Sequence, residues 1–465
     1  MSLRHLALYI VIFSLSIYAW KDWFKSLCGL ILLMAVIEHS DMPKSMFGIQ
    51  GLNMWNVLFA VIFIVWLVSR SRENLTWDMP KNINILLLAY LTVILIGVLR
   101  AAVNIDNLSN YTHKELLSNE FINTIKWVLP GVLLFDGCRT RRRTIMAIVC
   151  ILALYCMISI QIIRFMPFSA AFDIGVLDQR RISLGKYMGY SAVDMSVFLA
   201  GAFWAIIATI PMLSQKKYKT IVIAAAGLVV FGQALTGGRA GYIAWASTGL
   251  VLCLMKWRKY LLLAPIVVIL LPIVFPGAVE RMFTGFGETD LAGQSTIDEE
   301  ALASGRMVIW PYVIDKIVES PLIGYGRIGM NRTGLTETIE IEHPGTRAGQ
   351  PHNMYLETLL DNGILGTIPI VLFWVILIVY SSRLFKSNNR LCSAIGGITL
   401  SLMLAQLFAG IGSQHFYPEE STLSLWAAMF LMLRVYLEKI RTQTDVMPVD
   451  SYWSSQLEQE AAICT

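Results

Sequence analysis

Apolar residues fall in blocks of about 17–20, the length needed to cross ~30 Å of hydrocarbon. The blocks are His5–Trp20, Ser26–Glu38, Asn53–Ser69, Ile83–Ala101, Phe121–Phe135, Thr144–Ile163, Ser191–Leu213, Thr220–Thr236, Ala240–Trp257, Tyr260–Pro276, Gly363–Ser381, Leu391–Ile411 and Thr422–Leu437. Ser26–Glu38 is short for a full crossing and suits a hairpin with the first block, so the pattern predicts 12–13 transmembrane helices. The first block has one basic residue ahead of it and no small-x-small site before Lys21, which reads as a retained span rather than a cleaved signal. The fold class expected is an all-α polytopic integral membrane protein with one large extracytoplasmic loop, residues 277–362, inserted in a membrane domain over 1–437. A polar cytoplasmic tail over 438–465 follows, with the composition of a disordered segment.

Charge orients these spans. Lys and Arg cluster in alternate short joints: Lys21 and Lys25; Arg70, Arg72 and Lys81; Arg139 and Arg141–Arg143; Lys216, Lys217 and Lys219; Lys256, Arg258 and Lys259; Arg383, Lys386 and Arg390; Arg434, Lys439 and Arg441. The excess of cations marks that side as cytoplasmic. The remaining segments, 40–52, 103–120, 164–190, 277–362, the short 412–420 and the joint at 237–239, then face outward. The net charge of +5 is therefore a topology signal. A nucleic-acid partner would need a basic face on a folded domain, and the pattern contains none.

Composition agrees: 56% of residues are hydrophobic and 15% charged, against about 45–50% and about 25% in soluble chains. The seven cysteines lie in spans or on the basic side, which excludes disulfides and Cys metal sites from the long loop. No D-x-D, H-E-x-x-H, Walker A or G-x-S-x-G motif occurs. No metal site or cofactor is expected.

The long loop carries the densest pattern. Met307, Trp310, Ile314 and Ile317 share one helical face, Pro321 ends that stretch, and Gly324, Gly326 and Gly329 follow in a turn-rich segment. A second short helix is predicted from Asn353 to Asp361, with Asn353 as N-cap and Asn362–Gly363 as its stop. Apolar faces on both helices suggest that they lie on the membrane surface. The loop holds thirteen Asp and Glu against six Lys and Arg, so an Arg within it has carboxylates to neutralise.

Four places could carry chemistry, each with a plainer alternative. His352 precedes the second helix, where a neutral imidazole could accept a proton from an attacking hydroxyl. Alternatively it caps or anchors the helix, with Tyr355 at headgroup level. Arg239, in Gly237-Gly238-Arg239-Ala240-Gly241, could present its planar fork to phosphate oxygens or to lipid headgroups. Arg306, after Ser304-Gly305, could combine with a helix N-terminus on an anion or pair with Glu299 or Glu300. Arg181, in Arg180-Arg181-Ile182-Ser183-Leu184-Gly185, is an external cation whose default is headgroup contact. Arg100, Lys126 and Asp194 lie near outer span ends, where snorkelling accounts for them.

Taken together these residues resemble the O-antigen ligase/O-antigen polymerase superfamily of bacterial membrane glycosyltransferases. The resemblance covers roughly residues 180–411. It rests on Gly238-Arg239 between two central spans, on Arg306, Trp310 and Pro321-Leu322-Ile323-Gly324-Tyr325-Gly326, and on His352-Asn353, Tyr355-Leu356-Glu357 and Gly363-Ile364-Leu365-Gly366. Arg181 followed by Gly185 is similar to the family's earlier external Arg, although Tyr190-Ser191-Ala192 stands where family members often have Pro-Asn.

The resemblance implies transfer of a glycan from an undecaprenyl-diphosphate donor to an acceptor hydroxyl, at the periplasmic face of the inner membrane and in surface polysaccharide synthesis. The acceptor would be a lipid A-core sugar in a ligase, another lipid-linked repeat unit in a polymerase, or a protein in an O-oligosaccharyltransferase. His352 would be the catalytic base, Arg239, Arg306 and Arg181 would bind the diphosphate, and Asn353 and Tyr355 would support them. The reaction would invert the anomeric centre without a metal. Outside this class stands a lipid-linked glycan transporter, which would favour repeated halves and spans broken at mid-membrane. The sequence shows neither.

Overall fold

The computed structural model describes residues 3–43, 45, 52–103, 112–283, 288–289, 295–296, 306–344 and 349–444. Every apolar block becomes helical. The first two blocks form α1 (Leu3–Ala19) and α2 (Trp23–Ile37). They fold as the expected hairpin: the Ser26 hydroxyl donates to Leu15 O at 2.8 Å across the pair. α3 (Met54–Arg72) and α4 (Lys81–Val103) follow. Polar side chains start several helices by accepting from exposed first-turn N–H groups. Asp22 does so for α2, Asn53 for α3 and Ser191 for α10 (Ala192–Ala208).

Among the described residues, six helices are by themselves long and apolar enough to cross a membrane: Met54–Arg72, Lys81–Val103, Arg141–Phe165, Ala192–Met212, Met354–Phe385 and Arg390–Ala409. A seventh is the pair Arg258–Val274 and Pro276–Phe283, bent by 101°. The protein is thus an all-α, multi-pass membrane protein. The only strands among the described residues are two residues each, paired antiparallel with Glu288 opposite Thr296. The other predicted blocks are helical but shorter, interrupted or charged. After α5 (His113–Leu116), the block from Phe121 falls on the end of a π-helical turn over Leu117–Ile122, α6 (Asn123–Lys126) and α7 (Leu129–Gly137). Three lysines open α11 (Lys216–Ala234). Arg434, Glu438, Lys439 and Arg441 interrupt the last helix, Leu423–Thr444.

α8 (Arg141–Phe165) and α9 (Ile174–Met188) precede α10. α9 lies in a segment for which the sequence pattern predicted no helix. α10 is the centre of the bundle, packing against α11, α12 (Arg239–Met255) and the later helix Arg390–Ala409. Small residues allow this. A Cβ on Gly241 would lie 2.0 Å from the Ser196 hydroxyl oxygen, so α12 can approach α10 this closely only with glycine there.

The basic joints meet one another at one end of the bundle. Arg434 donates both Nη groups to Asp78 at 2.8 Å, and Arg139 and Arg441 reach the same carboxylate. Lys256 donates to Phe385 O at 2.6 Å and Ser387 O at 3.1 Å.

After α13 (Ala264–Val274) and α14 (Pro276–Phe283), the described part of the long loop contains α15 (Arg306–Glu319), α16 (Gly329–Arg332) and α17 (Leu335–Glu342). These make a small core of their own. Ile309, Val313, Met330, Leu335 and Ile339 are buried together with Leu360. The expected face of α15 is therefore rotated. Ile309 and Val313 point inward, while Ile314 is 46% exposed. The side chain of Met307 lies outside the described residues. Part of the apolar surface of these helices packs together in this core, while Ile314, Val318, Leu322 and Ile323 stay exposed.

Candidate functional site

The two motif-rich stretches of the loop are physically paired. Tyr325 N donates to Leu360 O at 2.8 Å and Gly326 N to Asp361 O; Ile364 N donates to Pro321 O at 2.8 Å and Leu365 N to Leu322 O at 3.0 Å. Backbones meet this closely only where side chains are missing. Gly363 has φ +59°, and a Cβ there would stand 2.3 Å from the Leu322 carbonyl carbon. α18 (Met354–Phe385) therefore holds one non-helical residue at Gly363, where the sequence predicted a stop. From α4, Gly97 O accepts from Arg327 N at 2.9 Å, and Arg100 donates to the carbonyls of Ile323 and Gly324. Arg100, expected to snorkel, instead grips this turn.

His352 sits just before α18, in a left-handed backbone conformation with φ +50°. This is uncommon for a residue with a side chain. Its neighbours hold it. Trp310 Nε1 donates to Pro351 O at 3.0 Å. Asn353 is the N-cap as expected, its side chain accepting from Tyr355 N at 3.0 Å and Leu356 N at 3.2 Å. Met354 N donates to Gly410 O, and Tyr355 OH to Leu407 O at 2.9 Å. Tyr355 is thus an inward anchor and not a headgroup-level ring. The imidazole is half-buried and makes no hydrogen bond among the described residues. Burial first, then the charges of Arg306 and His415, push it below its ordinary value of 6.5, and Glu357 opposes them. It is neutral near pH 7.

Arg306, the first residue of α15, is half-buried against the Gly412 turn, where an added Cβ would sit 3.4 Å from its Nη1. Its Nε is buried without a hydrogen-bond partner among the described residues. The alternative partners Glu299 and Glu300 lie outside the described residues, as do Ser304, Gly305, residues 104–111 and the tail from 445.

Arg239 opens α12, and Arg181 lies on α9 beside the same turn, its Cδ 3.2 Å from where a Cβ on Gly237 would be. Arg239 feels both Arg281 and Arg306, and Arg181 feels Arg281 and Arg239. Four guanidinium groups thus converge from α9, α12, α14 and α15, within reach of His352 through Arg306. The carboxylate facing them is Asp178, paired with Arg281 at 3.0 Å. The Nε groups of Arg181 and Arg281 are also buried without a partner among the described residues. Burial, then Arg281, lowers the proton affinity of Arg181, and Asp178 opposes this. A guanidinium nevertheless stays charged, so this cluster is a fixed positive site.

A second cluster was not visible in sequence. Arg327 contacts Glu120 at 3.0 Å, Asp361 at 3.3 Å and Glu357 at 3.6 Å, and lies 3.5 Å over the Tyr417 ring. Tyr417 OH donates to Asp361 at 2.9 Å. His415 Nδ1 bonds Glu357, and although burial works against its proton, that carboxylate pushes His415 up to about 9. His415 belongs to the short outer segment at 412–420 and has no partner at motif spacing. Only Glu357, inside the pattern after His352, hinted at the cluster. Among the described residues no group of three or more His, Cys, Asp or Glu could hold a metal ion.

Similarity to known proteins falls on the same residues. A family described as O-antigen ligase matches residues 224–371, which include Arg239, Arg306 and His352. A Rickettsia conorii protein provisionally named a polysaccharide ligase is 24% identical over 196 residues, 41% of this chain and 45% of its own length. The ComP-specific O-oligosaccharyltransferase of Acinetobacter baylyi is 30% identical over 190 residues, 39% of this chain and 33% of its own. An uncharacterised Haemophilus influenzae protein is 20% identical over 363 residues, 75% of this chain and 85% of its own. The chain thus spans less than half the length of the two relatives that carry functional names. With an Arg turn, an Arg-led loop helix and a His-Asn-capped helix inside the matched stretch, the chain carries a region similar to the O-antigen ligase family over residues 224–371.

Proposed function

We propose that the protein transfers a glycan from an undecaprenyl-diphosphate donor to an acceptor hydroxyl. The acceptor oxygen attacks the anomeric carbon as the bond from that carbon to the diphosphate oxygen breaks. The hydroxyl proton passes to His352, and the electron pair leaves with the diphosphate. Direct displacement inverts the anomeric centre. Arg181, Arg239 and Arg306, with Arg281, take up the charge developing on the leaving group. Fixed cations in a site shielded from water are effective at this because they need no reorganisation during the reaction. Asn353 and Tyr355 hold His352 in place.

The observation that carries this reading is the convergence of guanidinium groups from four separate elements beside a neutral His in strained backbone. Such strain costs about 1–3 kcal/mol and persists where the surroundings enforce it. We assign the site to the periplasmic side of the inner membrane, within a membrane domain over 1–437 whose ligase-like region is 180–411. A protein hydroxyl as acceptor is a second reading, favoured by the match to the Acinetobacter oligosaccharyltransferase. A lipid A-core sugar or a second lipid-linked repeat unit would suit the same chemistry.

The test is His352→Ala in proteoliposomes with lipid-linked glycan. Loss of a general base typically costs about 10²–10⁴-fold, so transfer should fall by at least about 100-fold while the protein stays folded and inserted. Undiminished product from a well-expressed variant would remove His352 from the mechanism. Glycan crossing the bilayer without a new glycosidic bond would point to a transporter.

A further inference from the structure

His352 adjoins a region of different character from the guanidinium cluster. Gln350 and Pro351, the residues just before it, line a cavity of about 440 Å³. That volume is within the range of small-molecule pockets, about 300–1,000 Å³. Its wall includes Glu357 and His415, which lie within electrostatic reach of the His352 ring. A cavity of about 250 Å³ adjoins it, and the two share Asn119, Asn123, Trp127 and Glu420 as lining.

The lining decides what could fit. Arg327 and His415 are already matched by Glu120, Asp361 and Glu357. Glu419 and Glu420 remain as further carboxyl groups, both with raised proton affinity, chiefly through burial. Lys126, in the adjoining cavity, acts on Glu420, so the lining offers a diphosphate or an acidic sugar no cation without a carboxyl neighbour, whereas it would meet attraction among the arginines. Carboxyl and amide groups instead accept from and donate to hydroxyls.

We infer that this paired cavity is the acceptor site and binds a neutral or amino-bearing oligosaccharide, delivering its terminal hydroxyl to His352. The inference rests on the glycan-transfer reading above and adds to it a second subsite with its own charge preference.

The experiment uses the full chain in nanodiscs and measures binding of three trisaccharides: chitotriose, its deacetylated form and trigalacturonate. Undecaprenyl diphosphate is titrated in parallel. Chitotriose or its deacetylated form should bind, and trigalacturonate should not. Asn119→Trp and Asn123→Trp, which fill the shared part of the cavity, should each weaken sugar binding at least tenfold and leave undecaprenyl diphosphate binding unchanged. Asn119 is exposed, so that variant has no packing to lose, and retained lipid binding reports its fold. The inference is overturned if none of the three sugars binds, if trigalacturonate binds best, or if both tryptophan variants keep wild-type sugar affinity. Failure of the wild-type chain to retain undecaprenyl diphosphate would instead count against the glycan-transfer reading.

Discussion

At the scale of single residues, His352 has the most demanding position. Its imidazole can act as a base only when neutral. Burial and the nearby charge of Arg306 favour that form. The sign follows: the midpoint of protonation, and with it of the loss of transfer, should lie below the ordinary His value of 6.5. A pH–rate profile of kcat/KM should therefore show an acidic limb centred below pH 6.5. An acidic limb centred above 6.5 would contradict the environment described. Arg239 makes a different demand. Replacing its planar fork by the point charge of Lys keeps the sign of the charge but loses paired N–H donation. Arg239→Lys should thus lower kcat/KM at least about tenfold, the factor that ~1.4 kcal/mol represents, and wild-type kinetics would show that charge alone suffices there. These residues were legible because the family pattern marks them. Arg281, Asp178, Arg327 and His415 were not, since each meets its partners only after distant segments fold together. The Arg281–Asp178 pair, for example, joins α14 to α9.

At the scale of elements, the apolar blocks located the long apolar helices but not α9, and the Asn353 cap and the break at Gly363 were both readable. The orientation of α15 was not. Periodicity identifies which residues share a face, but a 14-residue helix with Trp310, Tyr312, Ile314 and Ile317 offers more than one apolar face. Packing against Ile339 and Leu360 selected the one with Ile309 and Val313. The crossing of the two glycine-bearing turns can be probed directly. Gly363→Ala introduces a side chain at positive φ and against the Leu322 backbone, so it should destabilise by more than the ~1 kcal/mol that such a φ alone costs. Thermal unfolding in detergent, with glycan transfer measured alongside, should show a lowered midpoint and reduced activity. An unchanged midpoint would mean that the crossing tolerates a side chain. Ile339→Ala, in the small core of the loop, should cost about 2–5 kcal/mol by cavity formation.

At the scale of the whole molecule, alternating charge predicted which joints share a side, and contacts such as Arg434 and Arg139 on Asp78 bring several of them together. Their assignment to the cytoplasmic side makes a prediction about access. A cysteine at exposed Glu340 should react with a membrane-impermeant maleimide in intact spheroplasts, and one at exposed Lys217 only after permeabilisation, each compared with the wild-type background. The reverse pattern would invert the protein. The N-terminal spans carry no family motif, and sequence reading assigned them no part in the site. The structure gives one of them a definite task. Gly97 and Arg100 of α4 hold the turn that crosses behind α18.

That grip limits how the protein can be divided or recombined. The stretch that matches the family, 224–371, contains Arg239, Arg306 and His352 yet lacks the helix that clamps the turn at 323–327. A chimera exchanging only the first hundred residues with a distant relative would retain His352, Arg239 and Arg306 and still lose the register of the turn. Recombination within such a family is expected to succeed where breakpoints keep α4 and the loop from the same parent.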